Sequence, residues 1–220
     1  VAYCIASALP SRTRTMPIQP AAPSFEPAAF APHLAAEAVE RHRQAQQAGI
    51  DALNALLGEQ ADAEPAPALD ALAVEARGAL AAHAAQAWSE DFHWAALRPP
   101  REGAAEGPGG ALAAAIVQAF GDAGRMRERF ADAARRLSGP GWAWLVQRPD
   151  GRLAILATPR STTPLTGEDT PLLACCLWPH AYAHEADDGL ARHLAAFWAL
   201  VDWEVVGARL GQVRGERPAG

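Results

Sequence analysis

The hydrophobic pattern of residues 139–203 limits the possible folds more than any other part of this chain. Residues 142–147 and 153–158 alternate apolar with polar or small side chains around a Pro-Asp-Gly turn, which predicts a β-hairpin. Residues 172–178 are almost entirely apolar, as is typical of a buried central strand. Residues 191–210 then return to a helical pattern. We therefore expect a small three-stranded sheet packed against helices.

The N-terminal half of the chain has a helical period instead. Residues 33–57 and 69–94 repeat apolar side chains at spacings near three and four, which predicts two long helices that form a hairpin. Two shorter helices are predicted over 111–120 and 124–137. The predicted units are an extension over 1–23 that is disordered or belongs to a mis-assigned start ahead of Met16, a helical hairpin over 24–97, a linker over 98–110, an α/β domain over 111–212 and a flexible tail over 213–220.

Charge and composition exclude several classes of function. The formal net charge is −6, and no run of basic residues is interleaved with aromatics, so we expect no nucleic-acid partner. The apolar part of the N-terminal segment is too short to span a membrane, so we expect no membrane partner. Apart from Cys4, the cysteines are the adjacent Cys175 and Cys176, which cannot form an ordinary disulfide across a loop. This cysteine usage favours a reducing compartment, the cytoplasm.

Five segments follow one another in a fixed order, namely APHLAAEAVERHRQAQQAGI, AAQAWSEDFHW, GPGWAWLVQRPDGRLAILAT, TPLLACCLWPHAYA and FWALVDWE. In this order they resemble the iron/manganese superoxide dismutase family, and the second segment is most similar to iron-type members. The resemblance covers residues 24–210. It implies an α+β fold, with an N-terminal long helical hairpin followed by an α/β domain with a three-stranded antiparallel sheet. The activity it implies is conversion of superoxide to oxygen and hydrogen peroxide at iron or manganese.

The resemblance also identifies four metal-binding positions: one histidine on each of the first two helices, and an aspartate and a histidine in a D-x-W-x-H segment. His42 and His180 occupy two of these positions. Glu90 stands where the second helix carries a histidine, and Cys176 stands where the family has the aspartate. Gln86 matches the glutamine that, in iron-type members, hydrogen-bonds metal-bound solvent. We therefore expect a remodelled metal centre formed by His42, Glu90, Cys176 and His180.

Residues that surround the metal in the family have changed as well. Gln46 and Ile50 stand where the family has a histidine and a tyrosine that frame the substrate funnel and relay protons. Pro179 and Ala183 replace a glutamate and a tyrosine at the dimer interface, so the resemblance implies a homodimer with an altered contact. Losing such supporting groups commonly costs about 10- to 100-fold in affinity or activity. We therefore expect dismutation of superoxide to be weak or lost.

Two alternatives to a dismutase remain open. Glu90 and Cys176 together with two imidazoles form a donor set that zinc accepts in tetrahedral geometry, which favours a non-redox zinc-binding protein. The other alternative is a metal-free scaffold that serves a partner protein. A buried Glu90 paired with His42 or His180 would satisfy its charge without any metal.

Other polar residues on the second helix could supply alternative metal ligands. His83, Asp91 and His93 lie close to Glu90 in the sequence, and we expect them to be exposed or at the rim of the site. No specific prediction is made for His33, His184 and His193.

Overall fold

The computed structural model describes residues 17–20, 25–59, 68–103, 107–182 and 189–212. The predictions for residues 1–16, 21–24 and 213–220, and those for Ala183 and His184, lie outside these ranges. In chain order the described elements are α1 (Ala36–Glu59), α2 (Leu69–Glu75), α3 (Gly78–Trp94), α4 (Gly110–Phe120), α5 (Ala123–Arg136), β1 (Gly141–Gln147), β2 (Leu153–Pro159), β3 (Thr170–Cys176), α6 (Pro179–Tyr182), α7 (Gly189–Leu200) and α8 (Trp203–Ala208). Short 3₁₀ turns at Pro27–Phe30 and Pro164–Thr166 complete the list.

The order of these elements confirms the predicted fold class. A helical N-terminal region precedes an α/β domain whose three-stranded antiparallel sheet has the strand order β2-β1-β3. The helices α4 and α5 pack on β1 and β2, whereas α3 and α8 contact β3. The division into separate units at a linker over 98–110 stays a prediction. Within the described ranges, no helix is both long and apolar enough to cross a membrane.

The prediction of one helix over residues 69–94 is wrong, because the helix is interrupted between α2 and α3. Ala76 and Arg77 have extended backbone angles, and Gly78 has a φ of +62°. Glycine adopts this left-handed conformation without the steric cost that a Cβ would add. Residues from both helices, such as Leu72 and Ala84, enter the same apolar cluster. The spacing of apolar residues therefore continues across the interruption, which is why the sequence pattern does not reveal it.

The helical region predicted over residues 191–210 contains two helices, since α7 ends at Leu200 and α8 begins at Trp203. Between the two helices Val201 forms an antiparallel bridge with Leu97. The flanking hydrogen bonds run from Arg98 N to the Leu200 carbonyl and from Asp202 N to the Ala96 carbonyl, both at 2.8 Å. This backbone pairing replaces the helical hydrogen bonds at that point and connects the end of α3 to the C-terminal domain.

Strand β3 separates two apolar layers, because successive side chains of a strand point to opposite faces. Trp142 of β1 pairs with Cys176, and Ala143 pairs with Cys175. Cys176 therefore joins the cluster that contains Trp142 and Trp144, on the side of α3. Cys175 joins the larger core that contains Phe197 of α7. The side chains of Cys175 and Cys176 therefore point to opposite faces of the sheet.

Candidate metal centre

Four elements bring together four side chains that can bind a metal. Helix α1 supplies His42, α3 supplies Glu90, β3 ends with Cys176, and the short α6 supplies His180. One ligand atom from each side chain lies within 4.8 Å of the other three. We call this group the four-residue centre. The four residues named from the sequence are thus all brought together, including Glu90 and Cys176, which differ from the residue types that the resemblance implies.

Glu90 lies at the middle of the four-residue centre and is only 2% exposed. The imidazole of His42 donates from Nε2 to Glu90 Oε2 at 2.6 Å, and His180 Nε2 lies 3.3 Å from Oε1. The Gln86 amide also donates to Oε1, at 2.9 Å. Burial by itself would raise the pKa of Glu90, but the charges and hydrogen bonds of the two imidazoles lower that pKa to about 2. The carboxylate is therefore ionised.

Cys176 is the fourth donor and is completely buried. Its Sγ lies 3.6 Å from His180 Nε2. Burial raises the pKa of the Cys176 thiol well above its ordinary value, and the negative charge of Glu90 raises it further. Without a cation at this position the group is therefore a neutral thiol. A metal ion would reverse this, because a coordinating thiol is deprotonated.

Two of the distances between donor atoms have the length expected around a small tetrahedral metal ion. Bonds of about 2.0–2.3 Å from zinc to nitrogen, oxygen and sulfur give tetrahedral edges of roughly 3.3–3.6 Å. The distance of 3.3 Å between Glu90 Oε1 and His180 Nε2 and that of 3.6 Å between His180 Nε2 and Cys176 Sγ are both edges of this length. The 2.6 Å contact between His42 and Glu90 is a hydrogen bond and would have to lengthen.

The side chains around the four-residue centre mainly form hydrogen bonds or apolar contacts with other side chains of the protein. Gln86 accepts a long hydrogen bond of 3.4 Å from the Trp142 indole, in addition to its bond to Glu90. Gln46 donates to Asp91 Oδ1 at 2.7 Å, and Ile50 is buried in the apolar cluster between the N-terminal helices. Gln46 and Ile50 thus link or fill the interface between α1 and α3, and neither side chain readily gives up a proton.

The expectation that His93 is a rim or surface residue is wrong. Its side chain is 3% exposed, donates from Nδ1 to the Ala174 carbonyl at 3.0 Å, and stacks on the rings of His42 and Phe197. Burial lowers the pKa of His93 to about 3. The sequence contained the signal, because residues at i and i+3 share a helix face and His93 follows Glu90 by three. His83 and Asp91 are both partly buried, and neither belongs to the four-residue centre.

Sequence reasoning made no prediction for His193, which is also buried. From α7 it donates from Nε2 to the Cys176 carbonyl at 2.8 Å, and the same nitrogen lies 3.6 Å from Cys175 Sγ. Burial lowers the pKa of His193 to about 4. A cavity of about 20 Å³, room for roughly one water molecule, is lined by His42, His93 and His193. His93 and His193 therefore lie immediately behind the four-residue centre, against His42 and Cys176.

Comparison with known proteins gives consistent matches over most of the chain. Residues 108–209 match the family described as "Iron/manganese superoxide dismutases, C-terminal domain". Proteins named "Superoxide dismutase [Fe]" from Salmonella typhimurium and Escherichia coli strain K12 are each 38% identical over 183 residues, which is 83% of this chain and 92% of the relative. A protein of the same name from Coxiella burnetii is 33% identical over 180 residues, covering 81% of this chain and 90% of that protein.

Proposed function

Because this chain belongs to the iron/manganese superoxide dismutase family, we propose that its four-residue centre binds a metal ion and that dismutation of superoxide by it is weak or lost. Iron or manganese is the metal implied by the family, and superoxide is the substrate that the names of the relatives imply. The observation that carries the proposal is the convergence of the two retained and the two replaced ligands within 4.8 Å of one another. Both replacements are residue types that bind metals.

The donor set argues for slow turnover. Dismutation converts two superoxide ions and two protons to one oxygen and one hydrogen peroxide, and a bound redox metal supplies the electron transfer by being alternately reduced and oxidised. Cys176 would expose a thiolate to the hydrogen peroxide that the reaction forms, and thiolates are readily oxidised. Gln46 and Ile50 provide no readily ionised group for the two protons. Gln86 is already hydrogen-bonded to Glu90 and Trp142.

Zinc binding is the second candidate, and the distances within the centre favour it. Two imidazoles, a carboxylate and a thiolate form a common zinc donor set, and two of the donor pairs have the length of a tetrahedral edge. Zinc does not change oxidation state in proteins, so a zinc-loaded chain would be a binding protein and not a dismutase.

A metal-free scaffold is the third candidate, and the contacts of Glu90 favour it. Two imidazoles and the Gln86 amide surround the carboxylate, so its buried charge is compensated by the protein alone. In this case the aromatic core would maintain the fold, and the surface would serve a partner.

The homodimer and the cytoplasmic location also belong to this proposal. The family dimer would form through the face that carries Trp178 and His180, where Pro179 changes the contact. Cys175 and Cys176 are both free thiols, which supports a reducing compartment such as the cytoplasm.

The proposal is tested by measuring iron, manganese and zinc per chain after expression in metal-supplemented cells. The control is a double variant, His42→Ala with His180→Ala, which removes both imidazoles and leaves the rest of the chain intact. We expect nearly one metal ion per chain in the wild type and almost none in the control. Iron or manganese with slow superoxide turnover supports the first function, and zinc supports the second.

Two results would contradict the first function. If the wild type and the double variant both contained negligible metal, the result would support the third candidate, a metal-free scaffold. Turnover by the iron-loaded chain equal to that of the Escherichia coli relative, measured side by side, would show that the replaced ligands do not impair dismutation.

A further inference from the structure

A second pocket, which shares no residue with the four-residue centre, is the strongest candidate for another ligand site. It is open to solvent, has a volume of about 750 Å³, and lies between the turn before α1, the segment after α3, and helices α5 and α7. Apolar side chains, including Pro99, Pro100 and Trp198, form part of its wall. Within the described part of the chain, three arginines and one glutamate also line it.

Arg98 is the unusual residue of this pocket. It is only 9% exposed, and its backbone is held by the hydrogen bond to the Leu200 carbonyl. Among the described residues, its buried Nη1 has no hydrogen-bond partner. Its ion pair is long, with Nη1 3.9 Å from Asp202 Oδ2. Asp202 is engaged elsewhere, because its Oδ1 accepts the backbone N–H groups that begin α8.

A buried guanidinium nitrogen without a hydrogen bond is costly, since burying a charge requires a partner. Arg101 and Arg127 line the same pocket, and the Arg127 guanidinium lies 5.4 Å from the centre of the Trp198 ring. Glu102 is the acidic residue of the lining and is exposed. The charge that would best satisfy Arg98 is therefore that of an anion in the pocket.

A pocket of similar size at the β1–β2 turn is also lined by two arginines, but each of them forms a short ion pair with a carboxylate. Arg148 Nη1 lies 3.3 Å from Asp169 Oδ2, and Arg152 Nε donates to Asp150 Oδ2 at 2.7 Å. These arginines are paired with carboxylates of the chain itself. The comparison singles out the Arg98 pocket, where the buried guanidinium lacks such a short contact.

We propose that the Arg98 pocket binds the phosphate group of inorganic phosphate or of a small phosphate monoester. Guanidinium groups present parallel N–H donors that match phosphate oxygens, and the buried group of Arg98 together with the exposed group of Arg101 suits a phosphate dianion. The Trp198 ring is already packed against Arg127 and against the parallel ring of Trp203, 6.0 Å away. Recognition therefore depends on charge and hydrogen bonds, and not on stacking of a nucleobase.

The test is equilibrium binding of inorganic phosphate to the intact chain, purified without phosphate and studied at constant ionic strength. Glycerol phosphate tests a monoester in parallel, and acetate tests a carboxylate. Arg98→Met removes the buried charge, Arg101→Gln removes an exposed one, and Arg125→Gln is the matched control. Arg125 lies on α5, as Arg127 does, but is exposed, pairs with Asp122, and does not line the pocket.

We expect saturable binding of one phosphate per chain. Arg98→Met should weaken it roughly 10- to 100-fold, as expected for the loss of hydrogen bonds to a charged group. Arg101→Gln should weaken it severalfold, and Arg125→Gln should leave it unchanged. Tighter binding of glycerol phosphate would identify the monoester as the ligand, and tighter binding of inorganic phosphate would identify the free ion.

Four results would overturn the proposal: no saturable binding at millimolar phosphate, equal affinity for acetate, an equal loss in Arg125→Gln, or unchanged affinity in Arg98→Met. Should Arg98→Met fail to fold, unchanged affinity in Arg101→Gln would overturn it instead. The His42→Ala, His180→Ala double variant should bind phosphate as the wild type does, and loss of binding there would place the anion at the metal centre.

Discussion

The two faces of strand β3 carry nearly the same pair of groups in different electrostatic surroundings. On one face Cys176 Sγ lies 3.6 Å from His180 Nε2, and on the other Cys175 Sγ lies 3.6 Å from His193 Nε2. The first face contains the ionised carboxylate of Glu90, whereas the second packs against the larger apolar core. We therefore expect only the first face to bind a metal ion. The carboxylate provides the negative charge that a cation requires.

The largest expected effect comes from exchanging the two cysteines for alanine one at a time. Cys176→Ala should lower metal affinity between about a hundredfold and a thousandfold, because four ligands together contribute on the order of 10–16 kcal/mol to structural zinc binding. Cys175→Ala should leave metal affinity unchanged. The measurement is competition with a chelator of known affinity. Equal losses in the two variants would remove the distinction between the faces.

The sequence predicted the fold class and the four-residue centre because both depend on patterns that survive divergence. Strand alternation places Cys175 and Cys176 on opposite faces, and the resemblance to the family named Glu90 and His180 among four residues that the structure brings together. The break at Gly78 was missed because the apolar period continues across it.

The histidines behind the centre were missed for a different reason. His93 and His193 are polar residues that are nevertheless buried, each satisfied by a backbone carbonyl from β3. Hydrophobic periodicity carries no information about such a distant acceptor, since the carbonyl of Ala174 is 81 residues from His93 in sequence. Only the packed fold brings the donor and the acceptor together.

Metal removal should destabilise the chain through the first face alone. A ligand that binds only the folded state at one hundred times its dissociation constant adds about 2.7 kcal/mol to the free energy of unfolding. We expect the metal-loaded chain to lose about this amount when a chelator is added, as measured by urea unfolding. Cys176→Ala should show no response to the chelator, whereas a response in that variant equal to the wild type's would place the metal elsewhere.

The two buried histidines His93 and His193 should govern the pH dependence of the metal-free chain between about pH 6.5 and pH 4. The pKa values of His93 and His193 are lowered by burial to about 3 and 4, so in this range the unfolded chain binds more protons than the folded one. Their stabilisation is complete above about pH 6.5 and declines as pH falls, by up to about 1.4 kcal/mol per pH unit for each histidine. Urea unfolding at pH 7.5, 6 and 5 measures this slope.

Two variants separate the contribution of the buried histidines from that of Glu90 in the same measurement. His193→Gln retains an amide that can donate to the Cys176 carbonyl, and it should reduce the slope by the share of one histidine. Glu90→Gln should leave the slope between pH 7.5 and 5 nearly unchanged. The pKa of Glu90 is lowered to about 2, so its contribution is complete above about pH 4.5 and is lost only as pH falls from there. A slope governed by Glu90 would contradict this assignment.

The smallest expected effect concerns Gln86, which supports the first face from α3. Gln86→Met keeps the approximate length of the side chain but removes the hydrogen bond to Glu90 and the acceptor for the Trp142 indole. The two imidazoles still compensate the carboxylate in this variant, so the free energy of unfolding of the metal-free chain should fall by only about 1 kcal/mol. Urea unfolding at pH 7.5 provides the value, and metal content per chain should be unchanged. A loss near 3–5 kcal/mol, the size typical of breaking a buried ion pair, would mean that the amide and not the imidazoles compensates Glu90. In that case the ionised state of Glu90, which distinguishes the first face from the second, would depend on Gln86. His42 and His180 would then act only as the proposed metal ligands.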